Sequence, residues 1–205
     1  MSWSSGQRSV LLAGTAGLLI GASVVFILMK TSAPAPEQLR PVRHAEVRTL
    51  FYSNIELDPH GACDAVFPVE RTITFDSFNH AADAEQRGAA VLTQLFAGPT
   101  AEEVSQGFSS FFSAETAGLL RKLRIHEGDE QTAYIDLHDM RYSLSGANSS
   151  CGSLSFFAQL EHTMRATVGV SQIRYAFEGN PEMFYNWMQI GCGAAENLCD
   201  PEPFR

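Results

Sequence analysis

The chain carries six histidines and four cysteines, the residue types from which catalytic or metal chemistry is most often built. His44, His60, His80, His126, His138 and His162 are scattered along it. No two stand at H-x-x-x-H or H-E-x-x-H spacing, which would put a pair of imidazoles on one helix face as metal ligands. Asp136-Leu137-His138-Asp139 is the tightest acid–histidine cluster. On a strand, Asp136 and His138 share a face, where they could ligate a metal or act as a base. An exposed strand end has the same composition, and we read the cluster that way. Cys151 stands where a helix should begin, and the positive end of a helix acidifies a thiol toward a nucleophile; a disulfide is the competing reading. Glu102-Glu103 and Asp129-Glu130 are adjacent acids on a turn and at a hairpin tip, the usual setting of solvated surface. Glycan hydrolysis needs two carboxylates flanking a cleft, and no such pair stands out. G-x-x-x-x-G-K-[ST], a post-strand G-x-G-x-x-G and G-x-S-x-G are all missing from the sequence. The sequence therefore predicts no catalytic residue, no cofactor site and no metal site.

The cysteines speak to compartment instead. Cys63, Cys151, Cys192 and Cys199 are even in number and form no C-x-x-C pair, a pattern that reads as disulfides in an oxidising compartment. Three pairings are possible, and the sequence selects none. All four lie after Val10–Met29, an uncharged, largely apolar stretch flanked by Arg8 and Lys30. A helix of about 20 such residues rises roughly 30 Å, the thickness of a bilayer's hydrocarbon core. The stretch exceeds the ~7–15 apolar residues of a secretory leader, and Lys30 closes it before any small-residue cleavage pattern. A retained anchor over 10–29 is therefore the expectation, with a cleaved leader as its rival. Flanking positive charge is nearly balanced and orients it weakly; the cysteines favour a cytoplasmic stretch at 1–9 and export of everything beyond the anchor. The expected protein is single-pass, in the cell membrane, with its C-terminal domain extracytoplasmic. All 23 acidic residues follow the anchor while two of the 14 basic ones flank it. The exported part is thus strongly acidic, which argues against nucleic acid and against anionic lipid as partners.

These residues need elements to hold them. Residues 30–45 contain three prolines and no hydrophobic period, a linker. A domain should start near Glu46. Val47–Tyr52 has strand composition. Ala65, Phe67, Val69, Ile73 and Phe75 alternate as a second strand, with a bend or bulge expected at Pro68. Residues 81–97 carry a helical stripe of Ala84, Gly88, Val91, Leu92, Leu95 and Phe96, stopped by Gly98-Pro99. Thr100 and Glu103 have capping-box spacing, which predicts a short helical turn. Residues 107–112 read as an apolar loop, and 121–126 with 133–137 as a hairpin. A second long helix should cover about 152–167, with Phe156, Phe157, Leu160, Met164 and Val168 inward. Ile173, Tyr175 and Phe177 form the inward face of a last strand. The order β-β-α-β-β-α-β predicts an α+β domain at 46–180 in which two helices cover one face of a mixed sheet. Residues 181–205 form a C-terminal extension with a cysteine pair. Within it Phe184, Trp187 and Met188 share a helical side, a candidate interaction surface; packing against the sheet is the other reading.

Several of these segments together resemble the GerMN domain family, named after a sporulation and spore-germination protein. The segments are TLFYSN at 49–54, CDAVFPVERTI at 63–73, LTQLFAGPTAEE at 92–103 and GFSSFF at 107–112. LRKLRIHEGDEQTAYIDLHD at 120–139 and FFAQLEHTMRATVGVSQIRYAFEGNP at 156–181 complete the set. The Gly98-Pro99-Thr100 element and its following acids are the most specific part. The aromatic Phe108, Phe111 and Phe112 depart from the family pattern, and residues 181–205 lie beyond its core. The resemblance implies a fold like that of ring-building envelope modules and a non-catalytic role in assembly with itself or other envelope proteins. It also implies a Cys63–Cys151 bridge, because the family tends to carry a cysteine in each region; Cys192 and Cys199 would then close a small loop. A module that binds peptidoglycan or peptide is the alternative function, and a thiol- or metal-dependent enzyme a weaker one.

Overall fold

A computed structural model describes residues 42–77, 83–126, 131–193 and 197–205. The predicted cytoplasmic segment, the membrane anchor at 10–29 and most of the linker lie outside the described residues, as does the hairpin tip at 127–130. No helix among the described residues is long and apolar enough to cross a membrane.

The folded unit contains two three-stranded sheets rather than the single mixed sheet expected from the element order. In the first, β1 (Val42–Asn54) lies between β2 (Phe67–Ser77) and a very short β3 (Phe108–Ser109), all antiparallel. β1 starts at Val42, so the last residues of the predicted linker pair with β2, His44 opposite Phe75 and Arg43 opposite Asp76. The inward face at the far end of β1 is Leu50, Tyr52 and Asn54, all buried. Pro68 causes no bulge: the register runs evenly from Tyr52↔Phe67 to Val42↔Ser77. Pro68 is tolerated because β2 is an edge strand, where a missing N–H can face away from the ladder. The expected apolar loop at 107–112 contributes β3, which pairs with Ser53 and Asn54.

The second sheet has the order β4 (Leu120–His126), β5 (Thr132–Leu137), β6 (Gln172–Phe177). β4 and β5 are antiparallel, with a register shift between Leu120 and Lys122. β5 and β6 are parallel, so the chain must cross over between them, and the long helix supplies the crossover.

Among the described residues four α-helices accompany the sheets: α1 (Ala84–Phe96), α2 (Ala101–Ser105), α3 (Ser150–Val168) and α4 (Pro181–Trp187). Asp83 caps α1, its carboxylate accepting from the Gln86 amide at 2.7 Å. The α1 stripe Gly88, Val91, Leu92, Leu95 and Phe96 is buried. Gly88 lets three elements meet, since a Cβ there would sit 2.7 Å from Leu123 and 3.3 Å from Met164. α1 ends beneath Phe112. Gly98 has φ +77° and packs against the Phe112 backbone with no room for a Cβ. The capping box of α2 is present in full: the Thr100 amide donates to Glu103 Oε2 at 2.7 Å and the Glu103 amide to Thr100 Oγ1 at 3.3 Å. α1 and α3 pack on each other; α1 also touches β2 and β4, while α3 lies along β1. The two long helices thus tie both sheets into one core.

The C-terminal extension belongs to that core. Asn180 caps α4 and Pro181 stands in its first turn, a position where the missing N–H costs nothing. Phe184 is fully buried and Met188 nearly so. The Phe184 ring lies 5.0 Å from Tyr175, 5.2 Å from Phe177 and 6.1 Å from Trp187. Phe184 and Met188 are therefore not free to form the docking surface that helical spacing suggested. An aromatic stripe gains more by filling the gap between β6 and α3 than by facing water. Further on, Phe204 is buried edge-on against Tyr134 at 5.5 Å, and Lys122 Nζ donates to the Arg205 carbonyl at 3.0 Å.

Candidate functional site

Three polar constellations stand out, and their geometry separates structure from opportunity. At the first, Arg71 on β2 reaches across to Glu103 of α2. Both side chains are nearly buried, and the guanidinium donates to both Glu103 oxygens and to the Gln94 and Gly98 carbonyls. Arg71 also stacks over the Tyr52 ring at 5.4 Å. Burial raises the Glu103 pKa, but the Arg71 hydrogen bonds and the Thr100 amide outweigh it and hold the group below its ordinary value. Burial pushes the Tyr52 phenol well above its ordinary value. Glu103 is therefore not the solvated surface acid suggested by its neighbour Glu102. It locks the Gly-Pro-Thr turn onto the sheet, both its oxygens accepting from Arg71 and one also from the Thr100 amide.

The second constellation contains the acid–histidine cluster. Asp136 is almost fully buried, which overturns its reading as an exposed strand end. It accepts from Arg121 and from the Gly179 amide at 2.8 Å. Arg121 also reaches Glu178 at 3.2 Å, and His138 Nδ1 lies 3.0 Å from another Glu178 oxygen. Asp139 is held by both nitrogens of the Arg141 fork at 2.7 Å, and that fork lowers its pKa. The hydrogen bond from His138 and the Asp139 amide likewise hold Glu178 below the usual carboxylate range. Asp136, His138 and Asp139 thus face three different partners and do not converge. Among the described residues, no three His, Cys, Asp or Glu side chains gather as ligands for a metal.

The third constellation is a cleft of about 460 Å³ beside the N-terminal half of α3. Its floor comes from Ser53 on β1, Ser110 just after β3, and Ser155 and Gln159 one turn apart on α3. Gln159 is fully buried. Ser110 donates to Gln159 Oε1 at 2.5 Å, Gln159 Nε2 donates to Ser155 Oγ at 3.0 Å, and Ser155 and Ser53 share a bond of 3.0 Å. A loop, residues 55–66, forms the opposite wall. Asn54 starts it by accepting from the Glu56 and Leu57 amides at 2.9 and 3.2 Å. Asp58 turns it by accepting from the His60 and Ala62 amides. A Cys63–Cys151 disulfide then clips the loop to the first turn of α3, with the Cα atoms 5.0 Å apart. Cys151 thus carries no free thiol in this structure, and neither do Cys192 and Cys199, which bridge each other across 5.4 Å. Gly152 faces the Gly146 carbonyl with no space for a Cβ, so the 146 turn seals the helix end.

A family model described as Germane, sporulation and spore germination, matches residues 49–182. The chain belongs to the Germane family. The match begins inside β1, covers both sheets and both disulfide-bearing walls of the cleft, and ends at the start of α4. It therefore takes in the Gly98-Pro99-Thr100 lock and all four residues of the hydroxyl–amide floor. No curated protein and no solved structure shows significant similarity to the chain. Of the residues singled out in the sequence, the four cysteines sit in two bridges, while Phe184 and Met188 are core. Sequence reasoning missed Ser53, Ser110, Ser155 and Gln159.

Proposed function

We propose that this Germane protein is a non-catalytic, membrane-tethered component of a cell-envelope assembly of the sporulation or germination type, with its folded domain outside the cytoplasm. The family match over 49–182 carries the reading. Two disulfides support export, since such bridges persist in oxidising compartments. The apolar stretch Val10–Met29 supports a single-pass anchor. The polar clusters at Glu103 and Asp136 support a structural role, because their charges are consumed by partners within the fold. Chemical crosslinking of intact cells, followed by sizing under denaturing conditions, tests the assembly role: discrete multimers or defined hetero-complexes are expected, and a monomer at all crosslinker doses refutes it. Protease added to spheroplasts should digest the domain. Protection would show that the topology is inverted.

The cleft favours a second reading, a module that binds cell-wall material. Co-sedimentation of the chain with purified peptidoglycan tests it, and recovery wholly in the supernatant refutes it.

A further inference from the structure

We propose that the cleft between α3 and the 55–66 loop binds a neutral, N-acetylated glycan chain rather than a peptide. This rests on the wall-binding reading and names the part of the wall that is recognised. The cleft falls within the ~300–1,000 Å³ typical of small-ligand sites. Its lining offers a donor, an acceptor and an apolar platform, each traceable to a side chain.

The donor follows from counting hydrogens. The Ser110 hydroxyl is spent on Gln159, and one Gln159 amide hydrogen is spent on Ser155. Ser155 and Ser53 bring two hydroxyl hydrogens to the single bond between them. Whichever donates, one O–H remains without an acceptor among the described residues. Both hydroxyls line the cleft, and Ser155 is nine-tenths buried. When Ser53 donates, the spare hydrogen is that of the buried Ser155, and leaving it unpaired costs about 1–3 kcal/mol. When Ser155 donates, the half-buried Ser53 presents it. In both cases the floor offers a donor to an acceptor such as an acetamido carbonyl.

The acceptor is Asp58. Its two oxygens each take one loop amide, and a carboxylate has about four lone-pair sites. Asp58 lines the cleft, so the sites left over are available to sugar hydroxyls. The apolar platform is the half-buried Phe111 ring, with Ala62, Ala65 and the exposed Ile55 around it. The negative face of an aromatic ring attracts the C–H face of a pyranose. Charge disfavours the carboxylates of the other wall component. Among the described residues no lysine, arginine or histidine lines the cleft, whereas Asp58 does, so the free carboxylates of stem peptides meet repulsion without a partner. N-acetylhexosamines carry no charge and match all three features.

The test uses the full chain in nanodiscs, titrated at equilibrium by surface plasmon resonance. The probes are the N-acetylglucosamine tetramer, the glucose tetramer and a free stem peptide. Saturable binding of the N-acetylated tetramer is expected, with the glucose tetramer about tenfold weaker or worse, a difference of one good hydrogen bond. Ala62→Trp fills the cleft from an exposed loop position and should abolish binding while leaving the melting temperature unchanged. Asp58→Asn, which keeps one loop acceptor, should weaken binding severalfold and serves if Ala62→Trp fails to fold. Equal affinity for the two tetramers, or undiminished binding by the variants, overturns the proposal. Binding of the stem peptide in place of the glycan overturns it but leaves the wall-binding reading standing. If no probe binds and the chain also fails to sediment with peptidoglycan, both fall.

Discussion

The two disulfides differ greatly in what they should contribute, and the difference follows from their positions in the chain. Cys63–Cys151 closes a loop with a sequence separation of 88, whereas Cys192–Cys199 spans only 7. In the chain-entropy model the unfolded ensemble loses ~2.1 + 1.5R ln n cal/mol/K, which at 25 °C gives about 4.6 kcal/mol for the long loop and about 2.4 for the short one. The long bridge also clips the 55–66 loop to α3, so its loss frees a wall of the cleft as well as the unfolded chain. Replacing Cys63 and Cys151 together by serine should lower the melting temperature by about 9–18 °C, and replacing Cys192 and Cys199 by about 5–10 °C, at 2–4 °C per kcal/mol for a domain of this size. Paired replacement avoids leaving a free thiol to scramble. Differential scanning calorimetry of the two double variants provides the measurement. Equal losses, or a larger loss from the short loop, would refute the reasoning that loop length and α3 anchoring set the contribution.

Three further changes probe the other constellations. Glu103→Gln leaves Arg71 without a counter-charge in a nearly buried site and should cost about 3 kcal/mol at neutral pH by denaturant titration. Because the folded pKa of Glu103 is depressed, that contribution is complete above the unfolded value of ~4.3 and lost as pH falls through the lower folded value; the gap between wild type and variant should close in acid, and a gap constant down to pH 2 would count against the ion pair. Asp136→Ala strips the buried acceptor from Arg121 and the Gly179 amide and should destabilise by about 3 kcal/mol, whereas an exposed strand-end acid would cost under about 0.5. Phe184→Ala should cost about 3–5 kcal/mol as a core cavity; a surface role would leave the melting temperature unmoved.

What the sequence made legible was periodic and local. The α1 stripe from Gly88 to Phe96 and the alternation of Ile173, Tyr175 and Phe177 were visible because apolar side chains repeat with the period of their element. The Gly98-Pro99 stop and the Thr100–Glu103 box were visible because their partners lie within one turn. β3 was not, since two residues carry no period. Nor was the start of β1: from Val42 to Val47 it is mostly exposed, so backbone pairing with β2 rather than burial fixes it. The division into two sheets depends on contacts between segments far apart in the chain, which no local pattern encodes.

The cleft was illegible for a different reason, and α3 shows why. Its buried stripe is Gly152, Ser155, Phe156, Gln159, Leu160, Thr163 and Met164, a regular run at i, i+3, i+4 in which polar and apolar residues alternate. Reading only the apolar members selected Phe156, Leu160 and Met164 but shifted the stripe toward Phe157 and Val168, which are only partly buried. The polar members gave no local sign of burial because their partners are remote: Ser155 meets Ser53 across a separation of 102, and Gln159 meets Ser110 across 49. Thr163 shows the same logic, since its hydroxyl accepts the Phe51 amide of β1 at 3.1 Å. A polar residue that recurs at i+4 inside a helical stripe is a sign of burial with a partner, because an unpaired one would cost about 1–3 kcal/mol. On α3 that sign appears three times in succession, and two of the three residues form the floor of the cleft.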